Sequence, residues 1–75
     1  MWIRSQDGKK LISVKQFDFI NIGDEWRMYC GEERVGIYSS EKKALKVMDM
    51  IHNRINLTVG EGMVFQMPQD DEVKA

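Results

Sequence analysis

Six side chains of this 75-residue chain have the chemistry to hold an anion or a flat partner: Trp2, Arg4, Arg27, Tyr29, Arg34 and Tyr38. An arginine guanidinium can donate paired hydrogen bonds to a phosphate or carboxylate and can stack on a ring, while Trp and Tyr offer planes to a nucleobase. The same residue types are enriched in protein interfaces. Their bland alternative is ordinary half-covered surface, with arginine stems lying over aromatic rings and the charged heads in water.

Catalytic and metal chemistry has fewer carriers. Cys30 and His52 are each the sole residue of their type. A lone thiol in a hairpin behaves more often as a small buried hydrophobe than as a nucleophile, and the phase of His52 places it at the edge of a helical apolar stripe. An enzyme built on this chain would have to use one of these two groups. The sequence holds no paired cysteine motif and no His-x-x-x-His spacing. Asp70, Asp71 and Glu72 cluster in a segment with nothing to hold a coordination geometry, and Gly60-Glu61-Gly62 lacks the lysine and the following helix of a phosphate-binding loop. No catalytic residue, metal or cofactor is therefore expected.

The elements that would position the six residues are written in the periodicity. Met1 to Ser5 and Leu11 to Val14 are short alternating runs around a turn at Gln6-Asp7-Gly8-Lys9, and Phe17 to Ile22 makes a third run ended by Gly23-Asp24. Trp26 to Cys30 and Arg34 to Tyr38 flank Gly31-Glu32-Glu33, the signature of a hairpin. Ser39 or Ser40 caps a helix that starts at Glu41 and runs to about Ile55. Its stripe of Ala44, Leu45, Met48, Ile51 and Ile55 must cover an apolar surface, and Val47 and Met50 widen the arc. A final strand from Met63 to Met67 is stopped by Pro68.

These elements predict an α+β fold: a twisted antiparallel sheet of about four to six strands with one helix packed on one face and a final strand after the helix. Residues 1–68 form a single domain, followed by an acidic flexible tail over 69–75. Side chains alternate along a strand, so Met1, Ile3, Trp26, Met28, Cys30, Val35 and Ile37 are assigned to the helix side. Trp2, Arg4, Arg27, Tyr29, Arg34 and Tyr38 then share the opposite face as the candidate binding set.

Composition narrows the partners. Eleven basic against twelve acidic residues leave a net charge of -1, so no bulk charge draws the chain to nucleic acid or to an anionic membrane. Apolar content of 43% with 31% charged residues fits a globular domain, small enough that self-association would add useful burial. No apolar run approaches the roughly 18 residues needed to span a bilayer. With a single cysteine and no secretory leader, the expected compartment is the cytoplasm.

The opening Met1-Trp2-Ile3-Arg4-Ser5-Gln6-Asp7, the segment from Gly36 to Asp49 and the closing Val64-Phe65-Gln66-Met67-Pro68 carry a resemblance. Together they resemble a group of small uncharacterised proteins of Gram-positive bacteria and their phages. A phage or mobile-element setting implies a non-enzymatic role, such as binding host machinery or sequestering a nucleotide signal. The expected function is accordingly a small cytoplasmic interaction protein, self-associating or bound to a host protein, with sequestration of an anionic nucleotide as the alternative. A small enzyme using Cys30 or His52 ranks third.

Overall fold

The computed structural model describes residues 2–13, 16–57 and 64–74. In chain order the elements are β1 (Trp2–Arg4), β2 (Leu11–Ser13), β3 (Phe17–Ile22), β4 (Glu25–Cys30), β5 (Glu33–Tyr38), α1 (Glu41–Leu57) and β6 (Val64–Gln66), then one 3-10 turn at Asp70–Glu72. The α+β class and the strand after the helix are as expected. Expectations that concern Met1, Val14, Gly60-Glu61-Gly62 and Met63 lie outside the described residues.

The six strands divide into two sheets, ordered β2-β1-β6 and β3-β4-β5. In the first, β1 pairs antiparallel with β2 and parallel with β6. The second is a meander whose two turns place Gly23 and Gly31 at φ 61° and 62°. Glycine takes this conformation without a Cβ penalty, and at the first central residue of a two-residue hairpin it matches the strand twist. Helix α1 begins where Ser40 Oγ accepts the Lys43 amide at 3.2 Å, with Glu41 in the first turn and Arg54 in the last.

The core is assembled from Ile3, Met28, Cys30, Val35, Tyr38, Ala44, Val47, Ile51, Phe65, Met67 and Val73. The helix therefore buries Ala44, Val47 and Ile51, with Met48 half-buried, while Leu45 and Ile55 are 44% and 54% exposed. This corrects the expected stripe. Seven apolar residues within 44–55 form an arc wider than one contact line, and the sheet beneath selects its Val47 side.

A second correction concerns β5. Tyr38 is fully buried rather than outward. The register shifts between Met28 and Tyr29, so that Met28 pairs with Gly36 while Tyr29 pairs with Arg34. Val35 is the extra residue of this bulge, and it reverses the alternation downstream. Gly36 and Tyr38 thereby join the core side with Met28 and Trp26, and Ile37 moves to the side of Arg27.

The segment after Pro68 is also fastened, contrary to the expected flexible tail. Val73 is buried in the core, Asp70 Oδ1 accepts the Ser39 amide at 2.8 Å, and Lys43 Nζ donates to Asp70 O at 2.9 Å. Tyr38 Oη donates to Pro68 O at 2.8 Å. One apolar side chain and a few polar ties supply the anchor that its acidic composition concealed.

Candidate functional site

The six candidate residues do not form one constellation. Arg27, Tyr29 and Arg34 share the face of β3-β4-β5 turned away from the core, because cross-strand partners point the same way. Trp2 and Arg4 lie on the other sheet, on the side opposite to buried Ile3. Tyr38 belongs to the core, where burial pushes its phenol up.

The outer face of β3-β4-β5 reads as three cross-strand rows. At one end stand Asp18, Tyr29 and Arg34; in the middle Ile20, Arg27 and Ile37; at the other end Ile22 beside Glu25. Ile20 and Ile22 are 51% and 45% exposed. Arg27 Nη2 donates to Glu25 Oε1 at 2.9 Å, and that carboxylate is the main cause holding the guanidinium above its ordinary value. Arg27 Nε is buried and has no hydrogen-bond partner among the described residues. Arg34 and Asp18 stand exposed at the two edges of their row, Asp18 Oδ2 accepting from Gln16 Nε2 at 3.0 Å.

No family model, curated protein or solved structure matches this chain. What the site can do therefore rests on its own residues.

Three aliphatic side chains around a neutralised arginine, edged by the exposed Arg34 and Asp18, make a surface suited to another flat protein surface. Asp18, Ile20, Ile22 and Ile37 were missed from the sequence. Phe17 to Ile22 has apolar residues at both parities, so its outward set cannot be read without the partner register.

Concave sites flank the sheets. A groove of about 420 Å³ lies between the β1–β2 turn and the β4–β5 hairpin, where Asp7, Glu32 and Glu33 are mixed with Lys10, Arg34 and Tyr29. Lys10 Nζ is 2.6 Å from Glu33 Oε2 there. A second of about 380 Å³ is lined by Arg4, Gly8, Lys9, Lys10, Leu11 and Val64. The turn arranges this basic wall: Asp7 Oδ1 accepts the Ser5 hydroxyl at 2.5 Å and the Lys9 amide at 3.0 Å, which hold its carboxyl below the ordinary value. Arg4 Nε donates to Gly8 O at 3.1 Å. Trp2, 39% exposed, is the neighbour of Val64 across β1 and β6.

Burial pushes the Cys30 thiol up to about 11, leaving little thiolate at neutral pH. His52 is exposed on α1. Among the described residues no group of three or more His, Cys, Asp or Glu side chains could hold a metal ion, and no helix is long and apolar enough to cross a membrane.

Proposed function

We propose that this chain is a small non-enzymatic binding protein of the cytoplasm that self-associates through the outer face of β3-β4-β5. The observation that carries the reading is the half-exposure of Ile20 and Ile22 on the same face as Arg27, Tyr29 and Arg34. Exposed apolar residues gathered on one face mark contact surfaces, and a small domain gains proportionally more than a large one by covering them. Light scattering over a concentration series tests it. The expected result is an apparent mass that rises from monomer to dimer in the wild type and stays monomeric in Ile20→Asp, with circular dichroism showing both folded. A wild type that remains monomeric at millimolar concentration removes self-association.

A second reading is favoured by the basic pocket beside the β1–β2 turn. There Arg4 and Lys9 would hold the phosphates of a nucleotide while Trp2 and Val64 supply a platform for its base, giving a sequestering protein; Lys10, paired with Glu33, stands beside them. This reading uses Arg4 and Trp2 of the expected set but neither Arg27, which Glu25 already occupies, nor Arg34. It predicts tryptophan quenching by nucleoside diphosphates that weakens with salt and in Arg4→Gln. A broad nucleotide screen without binding removes it.

A further inference from the structure

From the register of β3-β4-β5 we infer that the partner on this face is a second copy of the chain, related by a two-fold axis along β4, with Asp18 of each subunit paired to Arg34 of the other. The inference rests on the self-association proposed above and specifies its geometry. Asp18 and Arg34 are the two neighbours of Tyr29, one on β3 and one on β5. They stand about 10 Å apart across two strand spacings with Tyr29 between them, and no ion pair joins them among the described residues.

Charge distinguishes an axis along the strands from one across them. An axis along β4 exchanges the β3 and β5 sides, so each Asp18 comes to lie over Arg34 of the partner subunit and Ile20 over Ile37 of the partner subunit. An axis running across the strands at the Tyr29 row would instead set Asp18 against Asp18 and Arg34 against Arg34, two like-charge contacts. The first arrangement gives two opposite-charge pairs, and of the β4 residues it sets against their own copies, Glu25 and Arg27 form an ion pair without net charge in each subunit. Arg27 faces its own copy near the axis, and the Glu25 carboxylate at 2.9 Å neutralises each guanidinium from within its own subunit. Aligned packing of two such sheets separates them by about 10 Å, within the combined reach of opposed isoleucine pairs and of an arginine meeting an aspartate.

The same geometry sets the strength. Three six-residue strands present a face of roughly 14 by 20 Å, well below the roughly 800 Å² per partner of a standard interface, so the dimer is a weak one that forms at high protein concentration. The charge pairs then decide the register and the axis more than the total affinity.

Sedimentation equilibrium of charge-exchanged variants tests the arrangement. Arg34→Glu alone and Asp18→Lys alone should each weaken dimerisation by about tenfold or more, because each places two like-charge contacts in the interface. Both positions are exposed, so circular dichroism should be unchanged. The double variant should regain the wild-type dissociation constant. An equimolar mixture of the two single variants should form a heterodimer, since every contact in it again joins opposite charges. A wild-type dimer indifferent to the single substitutions, or a mixture that stays monomeric, overturns the two-fold arrangement while leaving self-association standing. A wild type that never dimerises overturns both.

Discussion

The side-chain amide of Gln6 pairs with the backbone of Ile37 as a neighbouring strand would. Its Oε1 accepts the Ile37 N–H at 2.8 Å and its Nε2 donates to the Ile37 C=O at 3.1 Å. The Gln6 backbone N–H donates to Val35 O at 2.8 Å, and Nε2 also reaches Pro68 O at 3.1 Å. One residue thus closes the edge of β5 and joins both sheets to the segment after β6, in place of a continuous ladder.

Gln6→Ala should cost about 1–3 kcal/mol, because it strands a partly buried donor and acceptor on Ile37. Gln6→Glu separates geometry from volume: a carboxylate can still accept from Ile37 N–H but cannot donate to Ile37 O or Pro68 O. Urea unfolding should rank wild type above both variants. Equal midpoints would mean that the amide contacts carry no net stability.

Gly36 is fixed by close approach. A Cβ there would sit 3.1 Å from Cε2 and 3.3 Å from Oη of Tyr38, and 3.4 Å from Cε of Met67. Tyr38 is held by its own hydrogen bond to Pro68 and has little room to yield. Gly36→Ala should therefore destabilise by about 1–3 kcal/mol through overpacking. A thermal midpoint at or above that of the wild type would show that the Tyr38 ring shifts freely.

Helix orientation can be checked with two residues. Ile51, buried against the sheet, should lose about 2–5 kcal/mol on truncation to Ala, whereas Leu45→Ala should change stability by about 0.5 kcal/mol or less. Comparable losses at both positions would mean that the helix rests on its Leu45 side. Self-association should be unaffected by Leu45→Ala, since α1 lies on the other face of β4 and β5.

How far the chain could be read from its residues follows from which signals are local. The Ser40 cap, the Gly31 hairpin and the helix from Glu41 are short-range features, and each stands where the sequence puts it. Arg27, Tyr29 and Arg34 share a face that simple alternation predicts, because β4 alternates regularly and Arg34 precedes the bulge. Tyr38 follows the bulge, and one inserted residue reverses its face without leaving a mark in the hydrophobic pattern. The separation of Trp2 and Arg4 from the other arginines depends on which strands pair over long sequence distances, as in β1 with β6, and no local propensity encodes that. Val73 escaped notice because a single apolar residue in an acidic segment has no periodicity.

Tyr38 gives the pH dependence. Burial first, and then the negative charges of Asp70 and Glu72, raise its phenol above the ordinary value of 10.0. The unfolded chain therefore releases this proton at a lower pH than the folded one. The stability contributed by the neutral phenol is complete below about pH 10 and is lost as the pH rises through the folded value. Tyr38→Phe removes the titration together with the bond to Pro68 O, and should be less stable than wild type by about 1 kcal/mol at pH 7. Above pH 10 the gap should narrow, because only the wild type carries the cost of keeping a buried phenol protonated. Urea midpoints measured for both proteins at pH 7, 9, 10 and 11 decide it, since the remaining titrating groups are common to the two. Parallel profiles over that range would mean that Tyr38 ionises in the fold as freely as in water, and would place its ring outside the core.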